Sequence, residues 1–215
     1  MTSLPLGAIL AGGQNRRYGA HKALEVVGGE AIIARVRRAL LTVTPDLVLI
    51  ANEPEPYRAV GLPIRPDARQ GLGVLGGILT ALLWAREEGR SGALIVACDM
   101  PFLSPALLAR LVVESGGADV VVPESSGRRG VEPLCAWYGV ACIPAIEAAF
   151  GRGERHVISF FDAVRVHRIP LSDVDGYGDP AVLFMNVNTP EERERAERLV
   201  GDVLSANAAS GGGGA

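Results

Sequence analysis

Three stretches of the chain are apolar throughout, without the polar residues that alternate along a half-exposed strand. They are residues 6–11, 47–51 and 93–97, and stretches with a helical spacing of apolar residues separate them. A strand that is apolar on both faces is typical of a parallel sheet covered by helices on both sides. We therefore predict an α/β fold with a mostly parallel central sheet.

The composition excludes several classes of protein. The 21 basic and 24 acidic residues nearly balance, with a net charge of −3, so we expect no general attraction to nucleic acid. No apolar stretch approaches the roughly 18 residues of a membrane span, so we expect no membrane partner. The three cysteines have no metal-binding spacing and no export signal is recognisable, which predicts reduced thiols and a cytoplasmic location.

Polar residues and glycines follow or end several of the predicted strands. In a parallel sheet the carboxyl ends of the strands meet at one edge, and ligands bind outside that edge. The residues that the prediction brings there are Gly12, Gly13, Asn52, Asp67, Asp99 and Asn188. We therefore predict a ligand site at these strand ends, although Asn52 taken alone favours a helix cap over a ligand contact.

The loop after the first predicted strand, residues 12–22, combines three glycines with Arg16, Arg17 and Lys22. Glycines let backbone N–H groups approach a ligand, and the cationic side chains neutralise its charge. This favours a phosphate-rich ligand such as a triphosphate; a glycine turn followed by solvated charges is the alternative. The loop is not a P-loop, because Ala20 and His21 separate Gly19 from Lys22.

Asp99 follows the apolar stretch 93–98, at the expected edge of the ligand crevice. A carboxylate there, with phosphate oxygens and water, suits Mg²⁺, which prefers oxygen ligands. The alternative is an aspartate that caps the turn before Met100 and Pro101. Asn186 and Asn188 alternate at the end of a predicted strand, 182–187, so we expect them on opposite faces, with one of them in the crevice.

Gly71, Gly73 and Gly76 form the pattern GxGxxG, which occurs in NAD-binding proteins. That fingerprint needs an apolar strand immediately before it, and residues 66–70 are polar. A flexible glycine-rich loop over a bound nucleotide is the favoured interpretation, and an NAD-dependent oxidoreductase is the more remote one.

Several motifs together resemble the molybdenum cofactor guanylyltransferase family. They are LAGG at residues 10–13 with Arg17, Gly19 and Lys22, then CDMP at 98–101 and NVNTPEE at 186–192. The stretches VEPLCAWY and GERH are also similar to that family, and the resemblance spans about residues 6–192. It implies a Rossmann-like three-layer sandwich of the nucleotide-diphospho-sugar transferase type.

The resemblance implies transfer of GMP from Mg-GTP to the phosphate of molybdenum-molybdopterin, with release of pyrophosphate. Molybdoenzymes or their chaperones are the further partners that it suggests. By position, Lys22 and Arg17 would act on the phosphates, Asp99 would hold Mg²⁺, and Asn186 and Asn188 would lie on the acceptor side. The nucleotide-binding positions are Leu10, Ala11, Gly12, Gly13, Lys22, Asn52, Asp67 and Asp99.

The chain departs from the family pattern at Tyr18, at His21 and in GVLGG at residues 73–77, where a GPLAG-like segment is common. A cytidylyl- or other nucleotidyltransferase is therefore the nearer alternative. We predict one nucleotidyltransferase domain, residues 1–205, with a nucleotide-binding part of about 1–115 and an acceptor-binding part of about 116–205. The glycine-rich end, 206–215, is predicted to be a disordered tail.

Overall fold

The computed structural model describes residues 4–12 and 22–210, and for Lys22 and residues 202–210 it describes the backbone alone. Its strands are β1 (Leu6–Leu10), β2 (Val26–Val27), β3 (Glu30–Ala31), β4 (Leu47–Ile50), β5 (Ile64–Arg65), β6 (Gly92–Ala97), β7 (Val120–Pro123), β8 (Cys135–Gly139) and β9 (Val166–Ile169). Its α-helices are α1 (Ile32–Leu41), α2 (Gly73–Glu87), α3 (Pro105–Val113), α4 (Ile143–Gly151), α5 (Leu171–Val174), α6 (Pro180–Leu183) and α7 (Pro190–Ser210). Short 3-10 helices span Lys22–Leu24, Glu55–Val60, Val140–Cys142, Phe161–Ala163 and Asp175–Tyr177.

The central sheet has the strand order β5-β4-β1-β6-β8-β7-β9. Strands β5, β4, β1 and β6 are mutually parallel, so their carboxyl ends meet at one edge. Strand β8 is antiparallel to both of its neighbours, and β9 is parallel to β7. This confirms the predicted α/β fold with a mostly parallel sheet.

The sheet has a hydrophobic core on each face. The alternate side chains of β1 divide between the two cores: Leu6, Ala8 and Leu10 pack on the side of α2 and α4, and Ile9 packs on the side of α1 and α3. All four side chains are buried. The uniformly apolar strands of the sequence are therefore explained by burial on both faces, as a three-layer sandwich requires.

Two helices begin with the capping residues that the sequence indicates. Ser104 Oγ accepts the Leu107 N–H at 3.4 Å, with Pro105 as the first residue of α3. At the start of α7, Thr189 Oγ1 accepts the Glu192 N–H at 3.2 Å, and Glu192 Oε2 accepts the Thr189 N–H at 3.0 Å. This reciprocal pair is a capping box.

Helix α7 packs against the small antiparallel hairpin of β2 and β3. The hairpin turns at Gly28, where φ is +59° and an added Cβ would lie 2.5 Å from Val200 Cγ1. The Gly28 N–H donates to Glu197 Oε2 at 2.9 Å. Both the backbone conformation and the close approach of α7 therefore require glycine.

Three local predictions differ from the structure. Residues 182–187, predicted as a strand, form the end of α6 and an irregular segment. The predicted glycine loop is in large part helical, because α2 begins at Gly73. Helix α7 continues to Ser210, five residues into the predicted tail, while 211–215 lie outside the described residues. In each case a short apolar or glycine-rich stretch was ambiguous without its tertiary contacts.

Candidate active site

A cleft of about 210 Å³ opens at the edge of the sheet where β1, β4, β5 and β6 end. Its lining includes most of the described residues predicted for the site. The lining residues are Leu10, Ala11, Gly12, Ala23, Ile50, Tyr57, Asp67, Gly73, Val74, Gly77, Ala97, Cys98, Asp99, Leu134, Asn186 and Asn188. The position agrees with the expectation that a parallel sheet binds its ligand outside the carboxyl ends of its strands.

Asn52 lies next to the cleft and contacts Asp67 through two hydrogen bonds. Its Nδ2 donates to Asp67 Oδ2 at 2.8 Å, and its Oδ1 accepts the Asp67 N–H at 2.8 Å. Asn52 follows β4 and Asp67 follows β5, so the parallel pairing of these strands brings the two residues together. The side chain therefore fixes the orientation of the Asp67 carboxylate, which lines the cleft.

The loop that carries Asp67 is also attached to α2. The buried hydroxyl of Thr80 accepts the Ala68 N–H at 2.8 Å and donates to the Gly76 carbonyl at 2.8 Å. On the outer side, Arg155 Nη1 donates to the Gly71 carbonyl at 2.8 Å. These contacts hold the loop over the start of α2, so Asp67 is positioned from both ends of its own loop.

The start of α2 forms one wall of the cleft through Gly73, Val74 and Gly77. A Cβ added at Gly77 would lie 3.4 Å from the Leu10 side chain and 3.6 Å from Asp67 Oδ1. A Cβ at Gly76 would instead lie 3.1 Å from Leu72 Cβ and 3.3 Å from the Arg69 carbonyl. Gly77 therefore borders the cleft, whereas Gly76 faces the turn outside it.

Asp99 is half-buried and lines the cleft beyond the end of β6. Its backbone carbonyl accepts the Val187 N–H at 3.0 Å. This bond joins the end of β6 to the irregular segment 184–189, which we call the acceptor-side segment. Asp99 therefore lies between the end of β6 and the acceptor-side segment.

Asn186 and Asn188, both in the acceptor-side segment, line the same cleft, so the expectation that they point to opposite faces is wrong. The expectation relied on the alternation of side chains along a strand, and this segment is not a strand. Asn186 Nδ2 donates to the Phe184 carbonyl at 3.3 Å. Glu192 Oε2 accepts the Asn188 N–H at 2.6 Å, which fixes the backbone at the cleft.

Residues 7–167 match the family described as the MobA-like NTP transferase domain. The chain belongs to this family. It is therefore a nucleotidyltransferase, and the predicted resemblance is confirmed. The NAD-dependent oxidoreductase interpretation is wrong, and the structure gives a physical reason. The fingerprint directly follows a strand, whereas residues 66–70 separate Gly71 from β5, a two-residue strand at the edge of the sheet.

Individual relatives are similar over nearly the whole chain. A probable molybdenum cofactor guanylyltransferase of Pelotomaculum thermopropionicum is 39% identical over 190 residues, which are 88% of this chain and 90% of that protein. The molybdenum cofactor guanylyltransferase of Desulfosudis oleivorans is 36% identical over 199 residues, 90% of this chain and 95% of that protein. The crystal structure of molybdopterin-guanine dinucleotide biosynthesis protein A from Archaeoglobus fulgidus has a TM-score of 0.73 at 25% identity, covering 92% of this chain and 99% of that one.

Part of the predicted nucleotide site of this transferase lies outside the described residues. Gly13 and Arg17 belong to residues 13–21, which the structure does not describe, and of Lys22 only the backbone is described. Lys22 begins the 3-10 helix Lys22–Leu24, and Ala23 lines the cleft. The roles of Gly13, Arg17 and Lys22 stay predictions.

Sequence reasoning missed several lining residues of the transferase cleft, among them Tyr57, Cys98 and Leu134. Leu134 precedes β8, the antiparallel strand, so it reaches the cleft from the amino end of a strand. The rule that site residues follow parallel strands cannot find it. Its carbonyl accepts the Ala97 N–H at 3.0 Å, which ties this loop to β6.

Glu132 is a half-buried carboxylate on the same loop as Leu134. Its Oε1 accepts the Leu134 N–H at 3.2 Å. Burial raises the pKa of Glu132, and the negative charge of Asp99 raises it further, whereas the Leu134 N–H and the charge of Arg129 lower it. The two carboxylates are therefore close enough to interact in the transferase fold.

The donors around the cleft have the chemistry that Mg²⁺ requires. In a lining that is otherwise largely apolar, Asp99 offers a carboxylate, and Asn186 and Asn188 offer amide oxygens. Mg²⁺ is usually held by one or two protein carboxylates together with phosphate oxygens and water. In residues 4–12 and 22–210, no group of three or more His, Cys, Asp and Glu side chains could hold a metal by itself. A metal here would thus depend on the phosphates of a substrate.

Among the same described residues, no helix has the length and apolar character to cross a bilayer.

Proposed function

We propose that the protein transfers GMP from Mg-GTP to the terminal phosphate of molybdenum-molybdopterin, which yields the molybdopterin guanine dinucleotide cofactor and pyrophosphate. The observation that carries this proposal is the convergence of Asp67, Asp99, Asn186 and Asn188 in one cleft of a MobA-like transferase. The similarity to the relatives from Pelotomaculum and Desulfosudis, which are a probable and a named molybdenum cofactor guanylyltransferase, supports guanylyl transfer.

Asp67 is the group that we assign to base selection. A carboxylate accepts hydrogen bonds only, and guanine offers two adjacent donors, N1–H and the N2 amino group, along one edge. Adenine offers an acceptor at N1, which would face the carboxylate lone pairs. The two bonds from Asn52 keep Asp67 oriented, and glycine at position 77 leaves room beside Leu10. This arrangement favours GTP over ATP.

Catalysis then requires positioning and neutralisation of charge rather than an acid or base. An oxygen of the acceptor phosphate attacks the α-phosphorus in line; the new O–P bond forms as the bond to the β-phosphate oxygen breaks, and pyrophosphate leaves. The acceptor phosphate is already anionic, so no strong base is needed. Asp99 and the two asparagines would hold Mg²⁺ or the acceptor, and Lys22 and Arg17 would neutralise the phosphates. The metal, when bound, supplies positive charge to the phosphate oxygens.

A thermal-shift screen tests the nucleotide first. With Mg²⁺ present, GTP should raise the Tm more than ATP, CTP, UTP or NAD, because a ligand that binds the folded state stabilises it. Release of pyrophosphate from GTP should then depend on the added molybdenum-molybdopterin. A preference for CTP would indicate a cytidylyltransferase instead. Binding of GTP without any pyrophosphate release would indicate a binding protein.

A further inference from the structure

The carboxylate of Glu192 makes more contacts than a capping box requires. In a capping box the glutamate at the third helical position accepts the backbone N–H of the N-cap residue, here Thr189. Glu192 Oε2 makes that bond at 3.0 Å and also accepts the Asn188 N–H at 2.6 Å. The second bond contributes nothing to the helix itself, because Asn188 lies before the N-cap. It reaches a residue that lines the cleft.

The acceptor-side segment, residues 184–189, has no regular secondary structure to hold it. The Val187 N–H donates to the Asp99 carbonyl at 3.0 Å, and the Asn188 N–H donates to Glu192. These two bonds tie consecutive residues to different parts of the molecule, the end of β6 and the start of α7. Loss of the second bond would remove the contact between the Asn188 backbone and α7 and would leave the contact of Val187 in place.

We propose that Glu192 is a positioning residue for acceptor binding, which acts by fixing the backbone of Asn188 at the cleft. This inference rests on the proposed function, in which Asn188 lies on the acceptor side. The carboxylate itself does not contact the acceptor. A small displacement of a binding group is sufficient to reduce turnover, because the reacting phosphate must approach in line.

Glu192→Ala and Glu192→Gln separate the hydrogen bonds from the charge. One oxygen, Oε2, accepts both N–H groups, so the amide oxygen of glutamine can make the same two bonds without the charge. Glu192→Ala should raise the KM for molybdenum-molybdopterin about tenfold, equivalent to about 1.4 kcal/mol, with the KM for GTP unchanged. Glu192→Gln should keep the acceptor KM within about threefold of the parent, since neutral hydrogen bonds are somewhat weaker than charged ones.

Glu191 provides the matched control, because it is exposed and also lies in the first turn of α7. Glu191→Gln and Glu191→Ala change the charge at the helix start by the same amount and should leave the acceptor KM unchanged. An unchanged acceptor KM in an active Glu192→Ala enzyme would overturn the inference. The inference would also be overturned if Glu192→Gln and Glu192→Ala raised the acceptor KM equally and the Glu191 variants raised it by the same amount. The charge at the helix start would then explain the effect.

Two further measurements cover the remaining outcomes. If Glu192→Ala fails to fold, Glu192→Asp retains the charge but is one methylene shorter, and the acceptor KM should still rise; an unchanged value would contradict the inference. If the parent releases no pyrophosphate, the proposed function fails, and amide hydrogen exchange still tests the contact. Exchange at Asn188 and Thr189 should accelerate in Glu192→Ala and not in Glu192→Gln; equal protection in all three proteins would refute the positioning role.

Discussion

The two sides of the cleft are built in different ways. On the nucleotide side, Ala11, Asp67 and Asp99 follow strands that are paired in a parallel sheet, so backbone hydrogen bonds along each strand set their positions. On the other side, Asn186 and Asn188 belong to an irregular segment that is held by its buried apolar side chains and by hydrogen bonds to Asp99 and Glu192. The strand ends on the nucleotide side follow from the sheet, and Asn52 then orients the side chain of Asp67. On the acceptor side the course of the backbone itself depends on side-chain contacts.

This difference predicts how each side responds to substitution. A change on the nucleotide side should act on binding of the nucleotide and its metal, while the sheet keeps the remaining groups in place. A change on the acceptor side should displace the backbone beside the contact that is lost. Asp99 lies at the boundary, because its side chain lines the cleft and its carbonyl holds Val187.

The largest effect is expected for Asp99→Asn. The substitution keeps the size and the backbone carbonyl but removes the negative charge, so Val187 should stay in place while Mg²⁺ is lost. Turnover should fall by a factor on the order of 10²–10³, as when one group that stabilises transition-state charge is removed. The Mg²⁺ concentration needed for half-maximal rate should rise, with little change in Tm. A loss of Tm that parallels the loss of activity would instead identify Asp99 as a cap for the turn at Met100 and Pro101.

Lys22→Ala should have the next largest effect, confined to the nucleotide side. A hydrogen bond to a charged group contributes about 1.5–3 kcal/mol, so the Kd for GTP should rise about 10- to 100-fold. The KM for the acceptor should not change, because Lys22 is assigned to the phosphates of the nucleotide and not to the acceptor. Calorimetric titration of the protein with GTP measures this Kd. Arg37→Ala, at an exposed position of α1, is a control for the loss of one positive charge. Parent-like GTP binding in Lys22→Ala would show that the phosphate-loop prediction is wrong.

Asn52→Ala should have a smaller effect that concerns the choice of base. The variant loses both hydrogen bonds that orient Asp67, and each is worth about 0.5–1.5 kcal/mol. We expect the ratio of GTP to ATP affinity to fall several-fold, whereas Asp67→Asn should abolish the preference. Competition between the two nucleotides for the same protein measures this ratio. A preference that survives in Asn52→Ala but not in Asp67→Asn would mean that the loop contact through Thr80 is sufficient to orient the carboxylate.

The same comparison explains what the sequence could predict. Asp67 and Asp99 were predicted as site residues because each comes shortly after a predicted strand. The carboxyl ends of parallel strands meet at one edge of the sheet, where ligands bind. Local reasoning placed Asn188 at the strand ends but gave a strand and only one asparagine in the crevice, and the family resemblance placed both Asn186 and Asn188 on the acceptor side. The observed geometry of this segment depends on the contact of Val187 with Asp99, which is distant in sequence, and on the contact of Asn188 with Glu192. Neither contact follows a regular secondary-structure pattern. Leu134 was not predicted as a cleft residue because it precedes an antiparallel strand, whereas the prediction considered residues that follow parallel strands.

The smallest effect concerns Glu132, on the loop that brings Leu134 to the cleft, and it appears in stability rather than in turnover. The pKa of Glu132 is raised in the folded state, chiefly by burial, so folding favours its protonated form. Its contribution to stability is therefore complete below the unfolded-state pKa of 4.5 and is lost as the pH rises through the raised folded-state pKa.

Glu132→Gln keeps the oxygen that accepts the Leu134 N–H and cannot ionise. Its Tm should exceed that of the parent at pH 7, and the difference should shrink as the pH is lowered toward 4.5. In a chain of this size a gain of about 1 kcal/mol corresponds to about 2–4 °C. Glu53→Gln, at an exposed position, controls for the change in net charge. If Glu132→Gln were less stable than the parent at pH 7, the ionised carboxylate would have to be a stabilising partner in the fold, and its closeness to Asp99 would need another explanation.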